Sequence, residues 1–257
     1  MLKNYVVVDL EMTGLSPAED KILEIGAVKV IDGKVAETFQ TLINPNVEIR
    51  EKITKITGIN EKMTKDCPNI DTVLQEFLHF LGDYPLVGHN IIFDFSFIMQ
   101  AVWDFKVEPN EVENDFIEKS RNRRWYGIDT LFMARKYLGE EESKRLEDLC
   151  ERFEIRDVGH HRALNDAYVT KELYEKLCVL YETGEENITQ PTLLVYKPKK
   201  NRKPHPSQIK YAEELIKYYD MDVEQDIYSM NQSDLSRFID KTISKYGKIH
   251  FCWKDFK

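Results

Sequence analysis

Apolar residues recur along this 257-residue chain with two periods, and each switch between them marks a new element. Residues 4–10 are a β-branched run closed by a Thr-Gly turn, as expected of a strand buried on both faces. Alternation puts Tyr5, Val7, Asp9 and Glu11 on one side of it. Residues 22–31 and 35–43, joined by Asp32-Gly33-Lys34, read as a hairpin, and the three strands together as an antiparallel meander. A loop-rich stretch over 44–68 holds one short helix near 51–57, stopped by Gly58. Val73, Phe77 and Leu81 set a helix over 70–81. A short strand at 85–89 follows, then a helix over 92–105 with the stripe Asp94, Phe97, Ile98, Ala101 and Phe105. Residues 110–124 read as a charged surface insertion carrying Arg121, Arg123 and Arg124, and further helices are expected at 130–137 and 142–153. From Arg162 onward a last long helix shows Val169, Leu173, Leu177 and Leu180, with Asp166 on the same stripe. His161 is five residues earlier, about 140° away around a helix, and is therefore expected in the loop before it.

The pattern changes after residue 190. Residues 195–206 hold three prolines, five basic and no acidic residues, and no apolar periodicity, so 191–206 is expected to be a basic linker. Residues 207–257 then form a small helical module, with one helix at 209–219 (Tyr211, Leu215, Tyr218). A second helix, capped by Asn231 or Ser233, carries Leu235, Phe238, Ile239 and Ile243. Residues 1–190 make the main domain. The whole is an α/β protein with a small helical appendage.

Composition narrows the function classes. No apolar run approaches the roughly 20 residues of a membrane span, so a cytoplasmic protein without a membrane partner is expected. Cys67, Cys150, Cys178 and Cys252 are scattered, which argues against a zinc site or a disulfide framework. The net charge of −9 does not suit a passive nucleic-acid binder, but the acidic excess sits in the main domain while the linker is basic. That excess is either the surroundings of a metal site or a solubility device.

The unusual residues are acids in apolar settings. Asp9 and Glu11 end a buried strand, where like charges repel unless a cation intervenes. Asp94 and Asp166 lie on apolar helical stripes, and a lone buried charge is costly. Taken singly, Asp166 could equally be a half-exposed helix carboxylate and His161 an ordinary loop histidine. Taken together, four oxygen ligands favour Mg²⁺ or Mn²⁺ over zinc. They suffice for two ions about 4 Å apart, the arrangement that clamps attacking and leaving oxygens in phosphoryl displacement, with a histidine to deprotonate water.

Three segments carry a resemblance: D-L-E-M-T-G-L (residues 9–15), G-H-N-I-I-F-D (88–94) and H-R-A-L-N-D-A (161–167) resemble the motifs of the DEDDh, or DnaQ-like, 3'-5' exonucleases, which include proofreading subunits and ribonuclease T. The resemblance covers residues 3–181. It implies a ribonuclease H-like mixed five-stranded sheet flanked by helices, two Mg²⁺ or Mn²⁺ ions on Asp9, Glu11, Asp94 and Asp166, and His161 activating water. His160 is the competitor for that role. It also implies that Met12, Thr13, Leu15, His89, Asn90 and Phe93 contact the terminal nucleotide, though Leu15 and Phe93 suit a core equally. Glu24 and Asp129 are read as structural. The substrates implied are single-stranded or frayed 3' ends of DNA or RNA, with a polymerase or repair protein as a possible partner. A non-catalytic adaptor on the same fold is the competing reading. The basic linker and C-terminal helices either extend contact with nucleic acid or serve as a tether.

Overall fold

The computed structural model describes residues 1–105, 115–156, 161–180, 188–199, 203–221, 223, 226–228 and 230–249. The N-terminal β-branched run is strand β1 (Tyr5–Met12), followed by β2 (Ile22–Ile31) and β3 (Lys34–Leu42). Both strand pairs are antiparallel. The β2–β3 turn needs left-handed backbone at Asp32 (φ 51°) and Gly33 (φ 75°), which Asp-Gly supplies cheaply. Helix α1 (Glu51–Thr57) ends at Gly58, left-handed at φ 69°. Then come α2 (Glu61–Thr64), α3 (Ile70–Leu81), β4 (Leu86–Gly88) and α4 (Ile91–Asp104). The chain continues through α5 (Asp115–Asn122), β5 (Trp125–Asp129), α6 (Thr130–Tyr137), α7 (Leu146–Arg152), α8 (Ala163–Leu180) and β6 (Thr192–Leu194).

The six strands lie in the order β3-β2-β1-β4-β5-β6, with β4 and β5 parallel to β1 and β6 antiparallel to β5. Side-chain alternation along β1 splits the core into two layers. Val6, Val8 and Leu10 pack with Phe77 of α3 and with Phe95 and Ile98 of α4. Tyr5 and Val7 pack on the opposite side with Met133 of α6 and with Leu173, Tyr174 and Leu177 of α8. Tyr5 meets Tyr174 edge-on at 5.1 Å and hydrogen-bonds Glu175, pinning α8 to the strand.

Among the described residues the sheet has one strand more than expected. β6 is three residues long without alternation, so nothing local announces it; it exists because it pairs with β5, Trp125 opposite Leu194. It also lies within the stretch expected to be a linker. Tyr196 packs on the main core and donates to Gln100 Oε1 at 2.8 Å, and the first compact unit accordingly runs Met1–Pro198. The insertion expected at 110–124 is corrected in part. Residues 106–114 lie outside the described ones, but α5 belongs to the fold, with Ile117 fully buried. Arg121 donates to the carbonyls of Val102 and Phe105, while Arg123 lies 3.8 Å over the Trp125 ring and pairs with Asp83. Those two arginines anchor helix ends rather than forming a solvated basic cluster.

The second compact unit, Lys199–Lys257, contains α9 (Pro206–Tyr218) and α10 (Gln232–Tyr246) around a small core of Ala212, Leu215, Ile227, Leu235 and Ile239. Tyr218, expected on the apolar stripe, is 67% exposed. Among the described residues no helix is long and apolar enough to cross a membrane. Among the described residues, Cys67, Cys150 and Cys178 are thiols outside any disulfide.

Candidate active site

The C-terminal end of β1 delivers Asp9 and Glu11 on the α8 side of the sheet, as its alternation requires. Asp9 stands opposite Gly26 of β2, and Glu11 opposite Glu24. Gly26 is what lets α8 come so close. A β-carbon there would lie 2.1 Å from the carbonyl carbon of Ala163 and from the backbone nitrogen of Leu164. The first turn of α8 therefore rests on the strand beside Asp9, and Asp166, only 7% exposed, is turned into the same region.

His161 lies outside the helix with φ 62°. Its backbone N–H donates to Asp166 Oδ2 at 3.1 Å. Glu11, Asp166 and His161 offer ligand atoms within 4.8 Å of one another. Asp94 enters from α4 on the other layer, 5% exposed, its Oδ1 accepting the Leu10 N–H at 3.0 Å. His160 lies outside the described residues.

Electrostatics show what this packing costs. Burial raises Glu11 to about 8, with repulsion from Asp166, Glu24 and Asp94 adding to it and Arg162 opposing. Burial raises Asp94 to about 7 against the lowering effect of the Leu10 hydrogen bond. Asp9 is pushed well above the usual carboxylate range, by burial first and then by Asp94, Asp166, Glu11 and Glu24. Acids driven up together in this way mark a site short of positive charge. An all-oxygen donor set with one imidazole at its rim fits hard divalent cations.

Several of the remaining expectations acquire a position. Leu15 is 81% exposed, which removes the core reading for it. Met12 and Thr13 are buried; the Thr13 N–H donates to the Lys21 carbonyl, and Thr13 Oγ1 accepts the Lys21 N–H. Phe93 is half-buried, edge-on to Phe97 at 5.4 Å. Asn90 begins α4 in left-handed backbone (φ 70°), its N–H held by Asp129, which also caps α6. His89 commits both ring nitrogens inside the protein, Nδ1 to Thr130 Oγ1 at 3.0 Å and Nε2 to the Lys144 carbonyl at 2.9 Å.

Of the groups that hold these in place, sequence reasoning named Glu24 and Asp129 as structural, without their partners, and passed over Asp20 and Glu147. Glu24, fully buried, accepts two bonds from Arg162 Nε, one from Arg162 Nη2 at 2.8 Å, one from the Ala163 N–H and one from Gln40. Asp20 receives the Ser16 N–H at 2.8 Å and so shapes the turn that carries Leu15. Glu147 approaches His161. The only advance signal was a charged residue, Glu24, inside an otherwise apolar strand; Asp20 and Glu147 sit in polar surroundings and left none.

Comparison with known proteins adds independent findings. The family model described as Exonuclease matches residues 6–174. The DNA polymerase III PolC-type protein of Caldanaerobacter subterraneus subsp. tengcongensis is 40% identical over 187 residues, 72% of this chain and 12% of that protein. That of Bacillus subtilis is 36% identical over 186 residues, again 72% and 12%. The chain thus spans only about a tenth of the length of these curated relatives. Among solved structures, Exonuclease X in complex with 5' overhanging duplex DNA is 25% identical, with a TM-score of 0.52 over 72% of this chain and 96% of that one. Exonuclease I of E. coli, solved with a dA16 oligonucleotide, shares the fold at a TM-score of 0.55 and 19% identity, over 73% of this chain and 42% of that one. The fold is the expected ribonuclease H-like sheet, with six strands among the described residues.

Proposed function

Because the chain belongs to the exonuclease family, whose model spans residues 6–174, we propose that it hydrolyses phosphodiester bonds at the 3' ends of single-stranded or frayed nucleic acid, releasing nucleoside 5'-monophosphates. Asp9, Glu11, Asp94 and Asp166 are the residues that would hold two divalent cations, Mg²⁺ or Mn²⁺. Such ions, when bound, stabilise the charge on the attacking and leaving oxygens of phosphoryl transfer. His161 removes a proton from the attacking water, whose oxygen bonds to phosphorus as the bond to the 3' oxygen breaks. Leu15, standing out from its turn, packs against the terminal base, and Phe93, Met12 and Thr13 border the same nucleotide. His89 and Asn90 support this wall through Thr130, Lys144 and Asp129.

The observation that carries the proposal is the convergence of acids from β1, α4 and α8 into one cluster, in which burial and then repulsion from Asp94 and Asp166 raise Asp9 and Glu11. An adaptor that only bound nucleic acid would gain nothing from that cost. The test is incubation of a 3'-labelled oligonucleotide with Mg²⁺ or Mn²⁺. Labelled mononucleotide should appear, and Asp9→Ala or Asp166→Asn should abolish it; intact ends with either metal would end the proposal. A panel of single- and double-stranded DNA and RNA then assigns the substrate, since discrimination rests on contacts to the 2'-hydroxyl.

A second reading is favoured by the PolC-type relatives: the chain proofreads for a DNA polymerase in the cytoplasm. Co-purification of a polymerase, and faster release from a mismatched than from a matched 3' end, would support it over a free-standing nuclease.

A further inference from the structure

We infer that Glu147 is a positioning residue for His161, an inference that rests on the exonuclease reading above. His161 is poorly held by its own backbone. It sits before α8 in left-handed geometry, its N–H is committed to Asp166, and its side chain is 44% exposed, so the helix does not choose its rotamer. An imidazole that must accept a proton from a bound water needs a fixed ring plane and a fixed tautomer.

Glu147 supplies both from a firm base. Its Oε1 lies 3.3 Å from His161 Nε2, and its Oε2 accepts from Arg145 Nη2 at 2.8 Å, so the carboxylate is itself oriented. It occupies the first turn of α7, whose Leu149 and Cys150 are buried in the α8-side core. The segment entering α7 is tied down by the bond that His89 Nε2 donates to the Lys144 carbonyl, and the other ring nitrogen of His89 reaches Thr130 at the start of α6. A chain of contacts therefore runs from the end of β4 through His89 and α7 to the rim of the acid cluster. With the Nε2 proton donated to Glu147, the lone pair of the ring resides on Nδ1, and that nitrogen takes the proton of water. His89, in this arrangement, acts on the chemistry from behind, through the placement of α7.

The test is a double-mutant cycle in the full chain with Mg²⁺ or Mn²⁺, reading kcat and KM on a single-stranded oligonucleotide together with the thermal midpoint. Glu147→Ala should lower kcat by about 10-fold, the scale on which partners of a functional histidine act, with KM and melting unchanged within about twofold and one or two degrees. In a His161→Ala background it should have no further effect, because its only route to the reaction has gone. Should Glu147→Ala melt early, Glu147→Gln carries the cycle with the side-chain volume retained. Wild-type kcat in both Glu147 variants, a higher kcat, or an equal loss with and without His161 overturns the inference. Failure of the underlying reading looks different: His161→Ala would then cleave as the wild type does, or the wild type would not cleave at all.

Discussion

Leu15 is the simplest residue at which the proposal meets measurement. An 81% exposed leucine contributes little to folding, so Leu15→Ala should leave the thermal midpoint unchanged while raising KM for a single-stranded oligonucleotide several-fold. An unchanged KM would show that this side chain does not touch substrate. Arg162 is the opposite case. Its guanidinium is half in solvent, but its partner Glu24 is fully buried, so Arg162→Ala leaves that carboxylate with only Gln40 and the Ala163 N–H to hold it and with Asp9 and Glu11 repelling it. A loss of about 3 kcal/mol is expected, the low end for breaking a buried ion pair, measured by urea unfolding. A loss under about 1 kcal/mol would show that water repays Glu24 when its partner leaves. Sequence alone showed both residues but not their difference. Leu15 follows a Thr-Gly turn and Glu24 sits in a strand, and only the contacts separate an exposed leucine from a core one.

At the scale of elements, the site depends on how closely α8 lies against β2. Gly26 permits that approach, and adding a single methyl there requires the start of α8 to lift. Gly26→Ala should therefore lower stability and cut turnover together, because Asp166 and the residue bearing His161 ride on the displaced turn. The check is circular-dichroism melting alongside the oligonucleotide assay; full turnover in a protein of lowered midpoint would mean that the helix start shifts without carrying the acids along. The elements themselves were legible from pattern. The boundaries of α3 follow from Val73, Phe77 and Leu81, the hairpin from Asp32-Gly33, and the end of α1 from Gly58. β6 and the packed role of α5 were not. Both are stabilised by long-range contacts, with Trp125 and with the carbonyls closing α4, that no local periodicity encodes.

For the whole molecule, the acid cluster sets a pH dependence whose sign can be worked out. Glu11 at about 8 and Asp94 at about 7 hold protons in the folded state that ordinary carboxylates have lost by then, and Asp9 is displaced the same way. The metal-free native state thus binds more protons than the unfolded chain between about pH 5 and pH 8, so this part of its stability is full at low pH and falls as pH rises. The expected size is a few kcal/mol across that window. In chelator the thermal midpoint should decline from about pH 5 to pH 8. Glu11→Gln should flatten the decline, and Mg²⁺ or Mn²⁺ should raise the midpoint most at the alkaline end, where the acids are ionised and bind cations best. A flat profile in chelator, or a metal effect that does not grow with pH, would contradict a shared cation site.

The sequence by itself determined that three acid-bearing segments exist, which faces of their strand and helices those acids occupy, and that His161 precedes its helix rather than joining it. These follow from the periods of two and of 3.6 residues, which are local properties of the backbone. Only the tertiary structure decided that α8 could descend onto Gly26, that Glu24 would bind Arg162 from 138 positions away, and that Glu147 of a separate helix would face His161. Such distances between side chains depend on how layers pack, and packing is a property of the assembled core, not of any stretch of chain.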